Sequence, residues 1–280
     1  MTKSEIIAKI NSEELKDLHI HTYFSDGNLS PEEVVDRWMK EGYRTIAITD
    51  HDGIEGSQLA FDYAASLDIC VIPGIEFDSE DVLGRDLHIL GYGIDYDSKE
   101  IRNNLQTVKK WRDERNEEIR RHISNRGYNI SDEELYSINQ GRYIGKPTFA
   151  QVLAKRGDFD SVEAAFNELM PRNMSIQKKA LQSREVVEII HKAGGIAVLA
   201  HPIEQKRHNE TFEEYKPRLN TILDTFVKYG IDGIECYHPS ASEVQSGYLR
   251  NYADRHGLII TRGSDFHGDF MNRDYSKYHK

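Results

Sequence analysis

The sequence predicts an α/β fold with a largely parallel sheet. Three observations carry that expectation. Apolar runs rich in Ile, Val and Tyr alternate with segments of helical period, the pattern of repeated βα units. Almost every expected strand ends in a residue able to ligate a metal ion. The length, 280 residues, is one that a (β/α) barrel commonly takes.

Strands are expected near residues 16–21, 44–49, 69–77, 87–94, 195–200, 231–237 and 257–263, which leaves a barrel one strand short of eight. The first helix between them is well signalled: Ser30 as N-cap, Pro31 at the first helical position, Glu33 completing a capping box and Gly42 as the stop. Val34, Val35, Trp38 and Met39 give it a face to bury. Later helices are expected over 183–193, ended by Gly194, and over 212–229 and 242–256.

Residues 97–175 break this rhythm. They hold no convincing strand, and Ile101, Leu105, Val108, Trp111, Ile119 and Ile123 recur at helical intervals in a helix of about 30 residues that Gly127 ends. Asp97 and Glu100 have capping-box spacing; Ser131 with Glu134, Pro147, and Asp160 with Glu163 mark the starts of shorter helices. The organisation expected is therefore a metal-binding barrel from 1–96 and 176–280, interrupted by a helical insertion, a cap, at 97–175.

The net charge of −11 and pI near 5.6 argue against an electrostatic grip on long duplex nucleic acid. The charged start MTKSEIIAKINSEELKDL has no apolar stretch of signal-peptide length, and no run approaches the roughly 20 residues that span a bilayer, so a cytoplasmic protein without a membrane partner is expected. Cys70 and Cys236 stand singly in apolar runs and read as reduced thiols. Oligomeric state is left open. Neither a GxSxG elbow nor a GxxxxGK[ST] loop is present, so serine-hydrolase and nucleoside-triphosphatase chemistry lack their usual devices.

The chemistry lies at the strand ends: LHIHT with His19 and His21, ITDHD with His51, PGIE with Glu76, VLAHP with His201, and GSDFH with Asp265 and His267. In an extended segment alternate side chains share a face, so His19-x-His21 and Asp265-x-His267 each aim two donors into one cavity. Carboxyl ends of parallel strands open onto the loops where ligands bind, which lets donors distant in sequence converge. Imidazole plus carboxylate without a thiolate pair suits catalytic Zn, Mn or Fe better than a closed structural zinc site.

Read together, DLHIHTYFSDG, ITDHD, PGIE, DLHILGY, AHP and GSDFHG resemble the successive motifs of the PHP (polymerase and histidinol phosphatase) family, from Asp17 to Gly268. The helical insertion and AGGIAVLAHP are similar to the subgroup of 3',5'-nucleoside bisphosphate phosphatases and a related 5'-to-3' exoribonuclease of short RNA. The resemblance implies a distorted (β/α)7 TIM-like barrel with two or three divalent ions, Mn, Fe or Zn. The ligands it implies are His19, His21, Asp26, His51, Glu76, His88, His201, Asp265 and His267, with Glu76 bridging. Asp17, Asp50 and Asp52 flank ligands and are candidates to orient imidazoles. His122, His191, His208, His256 and His279 read as surface residues, while His238, in CYHPS, is a candidate to line the pocket.

In that subgroup the insertion carries a GRPH-like element with basic residues facing the substrate; here it reads Gly145-Lys146-Pro147-Thr148. Lys146 keeps the charge without the guanidinium fork, and Thr148 offers a hydroxyl in place of an imidazole. Arg142 and Lys146 are the first choices for substrate contact, ahead of Lys178, Lys179, Lys206, Arg207 and Arg262. The function expected is hydrolysis of a phosphomonoester on a small phosphorylated substrate, a nucleoside 3',5'-bisphosphate first. The attacking group would be a metal-bound water held by Asp26, His51, Glu76, His201 and Asp265. The alternatives are a histidinol-phosphate-type phosphatase, an exonuclease on short 5'-phosphorylated RNA, and a metal-holding binding module without turnover.

Overall fold

The computed structural model describes residues 1–138, 143–170, 176 and 178–268. Helix α1 (Lys3–Asn11) leads into three parallel strands in the order β1 (Lys16–Ile20), β2 (Thr45–Ile48) and β3 (Cys70–Val71), with α2 (Pro31–Lys40) and α3 (Glu55–Tyr63) between them. A second sheet runs β6 (Leu181–Gln182), β4 (Gly74–Glu80), β5 (Asp86–Tyr92), β7 (Ile196–Leu199), β8 (Gly233–Tyr237), β9 (Ile259–Arg262). Helices α8 (Ser183–Lys192), α9 (Phe212–Tyr229) and α10 (Glu243–His256) cover it, close to the expected bounds.

Two isolated bridges join the sheets, Ile20 to Phe266 and His51 to Glu76, so regular ladders stop short of a closed barrel among the described residues. Both bridges lie at metal-ligand motifs. Leu18, Ala47, Ile72, Leu90, Tyr92, Ile196 and Val198 form one buried cluster between the sheets, to which α1 adds Ile6 and Ile10. The other faces of the strands pack on helices, α2 and α3 on one side and α8 to α10 on the other.

One expectation about strands needs correction. The single strand at 69–77 is two, because Pro73 has no N–H to continue the ladder; β3 pairs with β2 and β4 with β5. The strand pairings are largely parallel, as expected; among the described strands β5 is the exception, antiparallel to both β4 and β7. Only residues 81–85 join β4 to β5, too few for a crossover. Asp81 caps that turn by accepting from the N–H groups of Leu83 (2.9 Å) and Arg85 (3.0 Å), and Gly84 takes φ +70°.

The residues after β5 are helical as expected: α4 (Lys99–Ser124), α5 (Asp132–Tyr136), α6 (Lys146–Arg156) and α7 (Val162–Leu169). Ser131 and Glu134 form the expected capping box. The Asp97–Glu100 box does not form: Ser98 is the N-cap, and α4 runs 26 residues. Ser161 rather than Asp160 caps α7. Ile119, Ile123, Leu135, Phe149, Leu153, Ala165 and Leu169 bury one another in a core of their own, apart from Ile101 and Val108 of α4, which join the core of the second sheet. Both cysteines are unpaired, and no described helix is long and apolar enough to cross a membrane.

Candidate metal centre

Eight of the nine candidate ligands leave the ends of β1, β2, β7 and β9, the start of β4 or the loop after β1; His88 is the exception, inside β5. The reversed direction of β5 explains its place: near the amino end of an antiparallel strand, His88 stands at the same rim as the carboxyl ends of its parallel neighbours. The alternation on β1 sends both His19 and His21 inward, fully buried.

Glu76 lies at the centre, fully buried. Its Oε2 is 3.2 Å from His19 Nε2, 3.2 Å from His21 Nε2 and 3.3 Å from His51 Nδ1, while its Oε1 is 3.1 Å from His88 Nδ1 and 3.0 Å from His201 Nε2. Asp265 Oδ1 closes the first set at 3.2 Å from His21 Nε2 and 3.5 Å from His19 Nε2. A third set gathers around Asp26, with His267 Nε2 at 3.2 Å and His51 Nε2 at 4.0 Å. All nine candidates thus meet in one place.

The donor set fits divalent cations. With metal–donor bonds of about 2.0–2.2 Å, neighbouring ligand atoms on a tetrahedral or octahedral shell lie roughly 3.0–3.5 Å apart. Moreover, His19 Nε2, His21 Nε2, Asp26 Oδ1, His51 Nδ1 and Glu76 Oε2 are buried and have no hydrogen-bond partner among the described residues, although oppositely polar atoms stand so near. Buried polar atoms are rarely left so, and lone pairs converging on one point are what a cation satisfies. Three overlapping groups could each hold one ion: His19, His21 and Glu76; His51, Glu76 and His88; His21, Asp26, His51 and His267.

The backbone is strained where the ligands turn inward. His201 (φ 24°), Asp265 (φ 51°) and Asp52 (φ 47°) are the described non-glycine residues with positive φ, each costing about 1–3 kcal/mol that the surrounding structure must offset.

A second layer holds the imidazoles, and here the sequence reading falls short. Glu235, fully buried in β8, has Oε1 3.0 Å from His19 Nδ1 and accepts the His201 N–H at Oε2 (2.8 Å). Asp78 Oδ1 lies 3.2 Å from His51 Nδ1 and 3.1 Å from His88 Nε2, and Asp78 Oδ2 pairs with Lys178 at 2.7 Å. Neither acid was expected. The available signal for Glu235 was a lone acid in the apolar strand GIECY, and for Asp78 its interval of two from Glu76 in GIEFDSE, which puts both on one face. The three expected orienters touch no imidazole. Asp17 accepts from Trp38 Nε1 (2.8 Å) and the Ser264 N–H (2.9 Å), and Asp52 from the Asp78 N–H (3.2 Å). Asp50 accepts from Thr22 and from Ser25 Oγ (2.6 Å), and only that hydroxyl reaches His21 Nδ1, at 3.3 Å.

Without a cation the cluster is held by protons. Against the burial penalty, Glu76 raises His201 to about 9, and Asp26 with Asp265 raises His267 to about 9. Burial opposes ionisation of Glu76 and Asp265 too, yet the surrounding histidines hold both well below the carboxylate range. Burial, then the charge of Asp78, push Asp52 up to about 7.

The expected substrate contacts fare unevenly. A cavity of about 300 Å³ is lined by Asp26, His51, Glu76, His88, His201, Asp265 and His267 together with Glu204 and with Pro147 and Gln151 of α6. Lys146 is half-buried near Arg115 and Lys178; burial, then their charges, lower its pKa. Thr148 is buried and accepts the Gly145 N–H (3.1 Å), so its hydroxyl serves the start of α6. His238 is 2% exposed and turns to Asp265 Oδ2 (3.3 Å), with Ser240 Oγ on its other nitrogen (2.7 Å). Arg142 and His279 lie outside the described residues. His122, His191 and His256 bond to Leu169, Asp232 and Tyr252, away from the cluster, and His208 is exposed.

The chain is similar to known proteins in sequence and fold. Residues 17–238 match the family described as PHP domain. A 5'-3' exoribonuclease of Haemophilus influenzae is 32% identical over 90% of this chain and 89% of its own. A 3',5'-nucleoside bisphosphate phosphatase of Chromobacterium violaceum is 32% identical over 90% and 86%. Among solved structures, a metal-dependent phosphoesterase from Bifidobacterium adolescentis superposes with a TM-score of 0.80 at 26% identity, covering 94% of this chain and 91% of that one. The chain therefore belongs to the PHP domain family, a family of metal-dependent phosphoesterases, and is a hydrolase.

Proposed function

We propose that the cluster holds two or three divalent ions and that the chain hydrolyses a phosphomonoester of a nucleoside 3',5'-bisphosphate. The observation that carries this reading is the division of Glu76: one oxygen faces His19 and His21 and the other faces His88 and His201, as a carboxylate bridging two cations would. In this reading the first ion takes His19, His21, Glu76 and Asp265; the second takes Glu76, His88 and His201; the third takes Asp26, His51 and His267. Mn, Fe and Zn all suit such donors. Bound ions of this kind supply Lewis acidity to phosphate oxygens and lower the pKa of water in the site.

The chain's own part is positional. Glu235, hydrogen-bonded to His19 Nδ1, would fix which ring nitrogen of His19 faces the cavity. His238 steadies Asp265. Residues 97–175 act as a cap over a barrel made of 1–96 and 176–280, and Pro147 and Gln151 reach the ligand-lined cavity from the cap. No protein nucleophile is needed, and it is bound ions, not the ligating carboxylates themselves, that would offer a phosphate group positive charge here.

The bisphosphate is placed first because the bisphosphate phosphatase relative aligns over 90% of this chain. The test is phosphate release from adenosine 3',5'-bisphosphate by Mn-loaded protein, beside a His19→Ala variant that excludes a contaminating phosphatase. Release that is lost in the variant supports the reading. No release from protein of verified Mn content overturns the substrate assignment. The exoribonuclease relatives favour a second reading, removal of nucleotides from short 5'-phosphorylated RNA, which release of mononucleotide from a 5'-phosphorylated dinucleotide, read by chromatography, distinguishes.

A further inference from the structure

Beside the metal-ligand cavity lies a wider cleft of about 370 Å³ between the loop that carries His51 and one face of α4. The two share His51. Phe24, Ile54 and Leu105 give the cleft apolar walls, and Arg102, Lys109 and Arg112 of α4 give it positive charge. A narrow recess of about 20 Å³, room for little more than one water, opens from its Asp52 and Arg112 end and is lined by Asp78, Arg115, Tyr143, Lys178 and Lys179.

These cations are not equivalent. Arg102 pairs with Asp97, Lys109 with Asp113, Lys178 with Asp78 and Asp86, and Lys179 with Glu114. Arg112 and Arg115 pair with no carboxylate among the described residues, and Arg112 Nη1 and Arg115 Nε are buried without a hydrogen-bond partner. The Arg112 guanidinium stacks over Tyr143, 4.5 Å from the ring centroid, which fixes its plane while leaving N–H donors free. Asp52 and Asp78 line the same recess, but Asp78 is paired with Lys178 and Asp52 accepts the Asp78 N–H, so the unpaired guanidinium donors remain open to an anion. The recess is too narrow to take a phosphate whole, so the anion would sit at its mouth, on Arg112, with Arg115 behind.

We infer that this cleft is the leaving-group subsite: the nucleoside lies against Phe24, Ile54 and Leu105, and its second, non-reacting phosphate is held by Arg112 and Arg115 of α4. The inference rests on the phosphatase reading above and assigns the recognition of the second phosphate to α4, ahead of the Gly145–Thr148 element. Aromatic and aliphatic walls accept any base, whereas a fixed guanidinium fork selects the phosphate. Binding energy from that remote phosphate then favours bisphosphates over simple esters.

The test compares kcat/KM for adenosine 3',5'-bisphosphate with that for p-nitrophenyl phosphate, in Mn-loaded wild type and in Arg112→Gln, Arg115→Gln and Arg112→Lys. Loss of a charge-assisted contact should lower the bisphosphate-to-monoester ratio about 10- to 100-fold in either glutamine variant, mostly through KM, with partial recovery in Arg112→Lys. Titration of the bisphosphate into metal-free protein reads the same subsite without turnover. If p-nitrophenyl phosphate is hydrolysed but the ratio is the same in wild type and both glutamine variants, the subsite is overturned and the phosphatase reading stands. If neither ester is hydrolysed yet the bisphosphate binds in an Arg112-dependent way, the subsite stands and the phosphatase reading falls.

Discussion

Replacing Glu235 by Gln tests whether the metal centre depends on a residue that touches no substrate. Both oxygens of this fully buried carboxylate are in use, one on His19 Nδ1 at 3.0 Å and one accepting the His201 N–H at 2.8 Å. An amide keeps one acceptor and gains a donor. If the acceptor stays on His201, the new NH2 opposes a protonated His19 Nδ1, and the ring must move its proton to Nε2. That is the nitrogen facing Glu76 Oε2 at 3.2 Å, so the tautomer that relieves the clash blocks the metal-facing atom. One charge-assisted hydrogen bond is worth about 1.5–3 kcal/mol, roughly 10- to 150-fold, and loss of a comparable orienting partner elsewhere weakens metal binding about 10- to 100-fold. The assay is Mn affinity by competition with a fluorescent chelator, with circular dichroism to confirm that the variant folds. A folded variant whose affinity stays within about twofold of wild type would refute the reasoning.

Gly263→Ala should damage the same support from the other side: a Cβ there would lie 2.1 Å from His19 Cβ and 2.6 Å from Glu235 Oε1, so both lower metal affinity and a lower unfolding temperature are expected in titration and thermal melts. Chelator-stripped protein should lose stability between about pH 6.5 and pH 9.5, because His201 and His267 are raised to about 9 from an unfolded value near 6.5; the stabilisation is complete below the lower value and gone above the higher. Metal affinity should rise over the same window as those protons leave, and thermal melts with and without Mn that move in parallel would contradict this. Phe149→Ala, fully buried in the core formed by α4 to α7, should cost about 3–5 kcal/mol in denaturant unfolding of that core.

The convergence of the candidate ligands was legible because strand geometry writes itself into spacing. His19-x-His21 and Asp265-x-His267 can face one cavity only at an interval of two, and the surrounding apolar runs mark them as strand ends. The α8, α9 and α10 bounds were legible from helical period, with Gly194 as the stop of α8, and the structure adds the caps at Ser242, Gly230 and Gly257. Glu235 and Asp78 were not, since an acid in a strand looks the same whether it meets water or an imidazole, and its partners come from strands more than a hundred residues away or across a hairpin. Arg112 and Arg115 were hidden differently. On a helix as charged as α4, two arginines read as solvated surface until the fold reveals which face turns toward the centre.

The reversal of β5 ties these points together. A rim fed only by carboxyl ends of parallel strands receives its donors from the residues that follow each strand. An antiparallel strand instead offers its opening residues, and His88 stands directly across from Asp78 in the ladder, two residues beyond Glu76. Glu76, Asp78 and His88 therefore come from one tight hairpin closed by the Asp81 turn. A hairpin also needs no crossover above it, so the chain leaving β5 at Tyr92 is free to run into α4 and lay Arg112 beside His51. One change of strand direction thus supplies both the second oxygen-facing histidine and the path that brings a cationic helix face to the centre.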